Sequence, residues 1–180
     1  SEITSGPTIR LGIALSGGGF RATAYHLGVL KRLEELGLLP HVAMLSTVSG
    51  GSIAGATYAL RCAQRGDGRP GSVPVDAVID ELVPVLREGL RGPALFGTPW
   101  RSLVTLLSFV AGRGWRTRLM ANALGRRIFH GAQLRELPDW IVLNATNLRT
   151  GKAWKFFPDR SGDFLAGATG RNVSVLRRRN

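Results

Sequence analysis

The sequence predicts an α/β fold built on a parallel sheet, and three observations predict it. A short apolar run, residues 9–15, ends in Ser16-Gly17-Gly18-Gly19, the pattern of a buried strand entering a glycine loop. An amphipathic stretch follows and stops at Gly37 and Pro40, and a second apolar run, residues 41–48, comes directly after it. Strand, helix and strand in that order make a β-α-β unit, whose crossover is right-handed. Much later, residues 140–146 return to strand character.

Each element has a local reason. In "FRATAYHLGVLKRLEELG" the spacing places Tyr25, Val29, Leu33 and Leu36 on one helical face, with Leu30 beside them. Lys31 and Glu35 are four apart and can pair on the outside. Gly37 supplies a C-terminal cap and Pro40 prevents continuation. A second helix, about residues 51–62, is rich in Ala54, Gly55, Ala56 and Ala59, side chains small enough for close packing. Residues 64–74, "QRGDGRPGSVP", read as a surface loop. Residues 76–91 carry Ile79, Leu82, Val83, Leu86 and Leu90 at helical spacing, with Pro84 expected to kink the helix. Residues 92–138 are expected to be helical and irregular. Thr150-Gly151 marks a turn, after which Trp154 and Phe156 alternate with Ala153 and Lys155. Beyond Phe164 the periodicity dissolves, which predicts an irregular basic tail over residues 166–180.

At 180 residues the chain is long enough for one domain with its own core. Hydrophobic residues make up 44% and charged ones 20%, which excludes a disordered composition. Net charge is +12, and all but three of the 24 basic residues are arginine. They are spread from Arg10 to Arg179 without interleaved aromatics, so a nucleic-acid platform is not expected. A codon bias accounts for the charge first, and an anionic membrane surface second. The single cysteine, Cys62, excludes an internal disulfide and fits a reducing, cytoplasmic compartment. The opening residues, "SEITSGPTIR", lack an initiator Met and the apolar core of a signal peptide. The longest apolar stretch, residues 102–112, falls short of the roughly 20 residues that span a bilayer. Trp100, Arg101, Arg113 and Trp115 flank it, which suits either a lipid interface or a buried helix with solvated ends.

Two glycine-serine elements carry the chemistry. In "LSGGGFRA" the loop leaves backbone N–H groups near the positive end of a helix dipole, where a phosphate or an oxyanion binds. Gly17-x-Gly19-x-x-Ala22 also satisfies a loose dinucleotide fingerprint, but the acidic residue expected at the end of the next strand is absent. Thr47-Val48-Ser49 stands there instead, and Glu34 and Glu35 lie on the preceding helix. The second element is "LSTVSGGSIAG", residues 45–55. A nucleophile elbow needs small residues two before and two after its serine, because strand and helix pass closely there. Ser46 fails, with Val48 at +2. Ser49 has Thr47 and Gly51, and Ser52 has Gly50 and Ala54. The apolar strand ends at Val48, so Ser49 takes the corner and Ser52 reads as a helix cap.

Together, Ser16-Gly17-Gly18-Gly19-Phe20-Arg21-Ala22 and Thr47-Val48-Ser49-Gly50-Gly51 resemble the patatin-like phospholipases, whose loop commonly reads D-G-G-G-x-R-G and whose elbow reads G-x-S-x-G. Ser16, Ala22 and Thr47 depart from that pattern but stay small. "NATNLRTGKAWKF" resembles the later strand and hairpin of bacterial members. The resemblance implies a three-layer α/β/α fold with a mainly parallel central sheet, here incomplete, over residues 9–165. It implies lipid acyl hydrolysis through a Ser-Asp dyad: Ser49 as nucleophile, Gly17, Gly18 and Gly19 as oxyanion hole, Arg21 bracing the loop or meeting a lipid phosphate, and Thr47, Gly50 and Gly51 shaping the elbow. It implies no metal or other cofactor, a lipid or acyl-ester substrate, and peripheral contact with an anionic membrane. A scaffold of the same fold without a dyad would share all but the chemistry.

The dyad aspartate is expected late, in D-G-G or D-G-A, and no such motif occurs in these 180 residues. Asp67-Gly68 comes too early and Asp163-Phe164 lacks the glycine. His26, His41 and His130 are the imidazoles available for a Ser-His arrangement, and His26 reads as structural. The expectation is that the chain stops short of its aspartate.

Overall fold

Large apolar side chains alternate with small ones along Leu11–Leu15, so only one face of that strand can build a core. The computed structural model of the chain describes residues 9–88, 121–122 and 124–162. Its elements are β1 (Leu11–Leu15), α1 (Gly19–Glu35), β2 (Val42–Val48), α2 (Gly50–Arg65), α3 (Val75–Glu88), β3 (Ile141–Thr146), β4 (Ala153–Phe156) and β5 (Ser161–Gly162), with 3-10 turns at Leu39–His41 and Leu134–Glu136. Within the described residues the expected strands, the helices up to residue 88 and the loop are present at these places, and β5 is an addition; most of the helical character expected over residues 92–138 falls outside them. Residues 89–120, with the apolar stretch and its flanking Trp100, Arg101, Arg113 and Trp115, lie outside the described residues. So do residues 163–180, with Asp163 and the basic tail. Among the described residues no helix is long and apolar enough to cross a membrane.

The described residues divide into two compact units, one of residues up to Val78 and from Gln133 onward, the other between Ile79 and Ala132. In the second unit Leu82 and Ile128 are fully buried, and Glu81 stands 3.6 Å from His130 Nε2. The first unit holds a five-stranded sheet in chain order. β1 with β2 and β2 with β3 pair parallel, while β3 with β4 and β4 with β5 pair antiparallel. Four of the five strands therefore run in one direction, which is the mainly parallel sheet expected.

Leu15, Leu45 and Thr47 point from the sheet toward Gly55 of α2, and Ala54, Ala56 and Ala59 are buried around it. α1 packs alongside α2. The sheet and this helix layer are the layers that the described residues of the first unit provide. Asn144 ties two strands together: its Nδ2 donates to Ser46 Oγ at 3.0 Å and to the Thr47 carbonyl at 2.9 Å.

α1 departs from the expected face. Its buried residues are Thr23, His26, Leu27 and Leu30, while Tyr25 is 70% exposed and Leu36 52%. Both stripes have helical period, so periodicity does not choose between them. The neighbours do: the buried face meets the backbone carbonyls of Gly50 and Ser16, and Thr23 and His26 hydrogen-bond to them. The helix ends as expected, with Gly37 N–H on Glu34 O and Leu38 N–H on Leu33 O closing its last turn. The Lys31 pairing also differs. Lys31 Nζ bonds Asp76 at 2.7 Å and Glu34 at 2.9 Å, and Glu35 pairs with Arg32 instead. Asp76 first and Glu34 second hold the Lys31 ammonium above its ordinary value. Glu34 Oε1 also accepts the Val75 N–H at 2.8 Å, so the end of α1 caps the start of α3. That helix continues through Pro84, which sits at an exposed position.

Loop 66–74 is pinned at the end of α2. The Tyr58 hydroxyl accepts the Gly71 N–H at 2.7 Å, and Trp140 Nε1 donates to Gly68 O at 2.7 Å. The two rings meet edge to face, 6.3 Å apart. Burial pushes the Tyr58 phenol and the Cys62 thiol upward.

Two outcomes follow from this packing. A Cβ at Gly55 would lie 2.7 Å from Thr47 Cγ2 and 3.2 Å from Leu15 and Leu45 methyls. Gly55→Val should therefore lower stability by about 1–3 kcal/mol in denaturant unfolding, and an unchanged midpoint would refute the close approach. Cys62, fully buried and held as the thiol, should ignore iodoacetamide in the native protein and react once it is unfolded.

Candidate active site

The chain turns from β2 into α2 at one residue. Ser49 has φ 52° and ψ −118° and occupies the N-cap position without a side-chain cap bond. A non-glycine residue in that region costs of the order of 1–3 kcal/mol, and such strain persists only where neighbours hold it. Here the Ser52 and Ile53 N–H groups donate to Ser49 O at 2.9 and 3.2 Å. Thr47, 1% exposed, donates from Oγ1 to Val142 O at 3.2 Å. That spends its proton, so the Ser52 hydroxyl donates to Thr47 Oγ1 at 3.0 Å. Ser52 is thus a first-turn residue bonded to the strand and not the cap its sequence position suggested. Thr47 fits where a glycine is usual because its hydroxyl is satisfied and Gly55 leaves room for its methyl. The Ser49 side chain is exposed.

The glycine loop arrives at the same place. Gly18 and Gly19, with φ of 141° and 63°, turn the chain from β1 into α1. Gly51 N–H donates to Ser16 O at 3.2 Å. A Cβ on Gly50 would clash with the Gly19 carbonyl, and one on Gly51 with the carbonyls of Leu15 and Ser16. A Cβ on Gly17 would stand 3.3 Å from Ser49 Cβ and 3.9 Å from Ser49 Oγ. Thr23 Oγ1 bridges the two elements, 2.9 Å from Gly50 O and 3.2 Å from Gly19 O. The N-termini of α1 and α2 therefore meet at Ser49. Gly18, Gly19 and Gly50 sit at helix positions whose N–H groups have no intrahelical acceptor, at the positive ends of two dipoles. An oxygen that gains negative charge beside Ser49 would be stabilised there.

Arg21 is exposed in the first turn of α1. His26 is 5% exposed, and its Nε2 lies 3.0 Å from Ser16 O and 3.3 Å from Ser16 Oγ. His41 precedes β2, at the end of that strand opposite Ser49. Asp67 follows α2, whose 16 residues span about 24 Å from the Ser49 end. Its Oδ1 accepts the Arg69 N–H. Among the described residues no carboxylate or imidazole is hydrogen-bonded to Ser49. No cluster of three or more His, Cys, Asp or Glu among them is placed to hold a metal ion.

The model of the family described as patatin-like phospholipase matches residues 13–161. The chain belongs to the patatin-like phospholipase family. Two solved structures of human GIVD cytosolic phospholipase A2 share the fold. One is a complex with methyl γ-linolenyl fluorophosphonate, with TM-score 0.58 at 20% identity. The other also contains terbium chloride, with TM-score 0.57 at 20% identity. Each superposition covers 86% of the present chain and 24% of the human one, so this patatin-like chain spans about a quarter of their length. None of the curated proteins compared matches the sequence.

Sequence reasoning brought Ser49, Thr47, Gly50, Gly51 and the loop glycines to one place, and the structure does the same. It missed Thr23 and the bridge it makes. The available signal was a threonine four residues after Gly19, on the side of α1 that the loop occupies. Gly50→Ala would force the Gly19 carbonyl away from α2. It should destabilise the patatin-like unit by about 1–3 kcal/mol or more in thermal or denaturant unfolding. Wild-type stability in that variant would contradict the contact.

Proposed function

We propose that Ser49 is the nucleophile of a hydrolase that cleaves carboxylic esters of lipids. The observation that carries this reading is the strained Ser49 backbone set against the glycine loop. A serine needed only for folding gains nothing from such a conformation, whereas an exposed hydroxyl at a helix N-terminus is suited to attack a carbonyl carbon.

In this mechanism Ser49 Oγ bonds to the ester carbonyl carbon as its proton passes to a base. The carbonyl oxygen becomes an oxyanion, held by the N–H groups of the Gly17, Gly18 and Gly19 loop, each well-placed donor contributing roughly 3 kcal/mol. The alcohol leaves with a proton as its C–O bond breaks, giving an acyl-enzyme. Water then attacks the acyl carbon, the fatty acid is released and Ser49 regains its proton. The family resemblance makes the base an aspartate, and we assign that role to no described residue. Arg21, exposed in the first turn after the loop, is suited to a lipid phosphate, because a guanidinium matches phosphate geometry. The charge of +12 favours approach to an anionic lipid surface.

An alkyl fluorophosphonate tests the reading. The folded protein should take up one equivalent on Ser49, located by peptide mass, and Ser49→Ala should take up none. A folded wild-type protein that resists the reagent while still binding lipid vesicles would instead be a lipid-binding scaffold of this fold.

A further inference from the structure

We infer that His26 is a positioning residue that sets the direction of the Gly17 N–H through the Ser16 carbonyl. The inference rests on the roles proposed above for Ser49 and the glycine loop.

The Ser16 carbonyl receives two donors from two different helices. Gly51 N–H reaches it from α2 at 3.2 Å, and His26 Nε2 reaches it from α1 at 3.0 Å. The carbonyl of Ser16 and the N–H of Gly17 belong to one planar, trans peptide unit, so they point in opposite directions. One donor would leave that unit free to swing about its neighbouring bonds. Two donors from separate directions fix its plane, and with it the line of the Gly17 N–H. Gly17 is also the loop residue packed on Ser49, since a Cβ there would stand 3.9 Å from Ser49 Oγ. The peptide that His26 holds therefore leads directly into the loop residue packed on the proposed nucleophile.

The tautomer follows from the partner. A carbonyl oxygen only accepts, so Nε2 carries the proton, and Nδ1 is left with its lone pair. Nδ1 is buried without a hydrogen-bond partner among the described residues. Burying an unpaired polar atom is unfavourable, and an apolar side chain would fill this position without that cost. The imidazole is explained by what Nε2 does. Tyr25, 5.5 Å away and edge to face, packs against the ring, and the Ser16 hydroxyl lies 3.3 Å from the same nitrogen. With Nε2 committed to Ser16, His26 acts through the loop and does not touch the substrate.

The test uses the protein with 4-nitrophenyl butyrate as substrate probe and an alkyl fluorophosphonate as active-serine probe. His26→Leu keeps bulk and removes the donor, and should lower kcat about tenfold or more with KM within twofold, because oxyanion donors act in the transition state. His26→Gln, whose amide reaches as far as Nε2, should recover most of kcat. His26→Asn, whose amide stops short, should not. If His26→Leu does not fold, the Gln and Asn pair decides alone. Equal kcat in those two variants, or a His26→Leu kcat within twofold of wild type, overturns the inference. Phosphonylation separates the two levels of the argument. A wild-type protein that is not labelled at Ser49 overturns the serine reading and this one with it. Labelling of wild type and His26→Leu at the same rate overturns only the role of His26.

Discussion

Two helices begin in almost the same place, and most of what surrounds Ser49 depends on how closely they can do so. α1 and α2 start 31 residues apart in sequence (Gly19 and Gly50), yet Gly50 lies against the Gly19 carbonyl and Gly51 against those of Leu15 and Ser16. Any side chain at those two positions would separate the helices. The absence of Cβ atoms is thus what lets two sets of unpaired helix-terminal N–H groups share one small volume.

The remainder of the first unit serves as a mount for that contact. Gly55, the buried alanines and Leu15 and Leu45 seat α2 on the sheet. Thr23 and His26 add side-chain donors to the Gly50 and Ser16 carbonyls where the two helices meet. Lys31, Glu34 and Asp76 tie α1 to the start of α3. These ion pairs are partly or largely solvated, so their contribution is mainly directional. The strain at Ser49 is small beside the burial that surrounds it, which is why the corner can hold a conformation that an isolated serine would avoid.

The strands and the corner at Ser49 were legible because each rests on a local constraint. Apolar runs ending in glycine define strands, and an elbow tolerates only small residues at fixed spacing. The buried face of α1 was not legible in the same way. Its two candidate stripes have equal periodicity, and the choice falls to Thr23 and His26 because of carbonyls that come from distant segments. The Lys31 partner was missed for a related reason: Asp76 lies 45 residues away, beyond any i,i+4 rule. Ser52 looked like a cap because serine favours that position, but the hydroxyl of Thr47 competes for it. The base was the least legible part, since a dyad aspartate is recognised by its own motif and none is present.

Asn144 has a bearing on how the sheet is assembled. β2 and β3 are neighbours in the sheet but about a hundred residues apart in sequence, and their pairing must be found late and without a turn to guide it. A slip of one residue would exchange the two faces and is rejected by burial, but a slip of two would keep apolar side chains inward. Only the shorter-range chemistry distinguishes that second error. In the native register the Asn144 amide meets both Ser46 Oγ and the Thr47 carbonyl; a slip of two exchanges that pair of partners for another. The amide thus acts as a register key, and a mispaired sheet carries its own penalty one strand away from the serine corner.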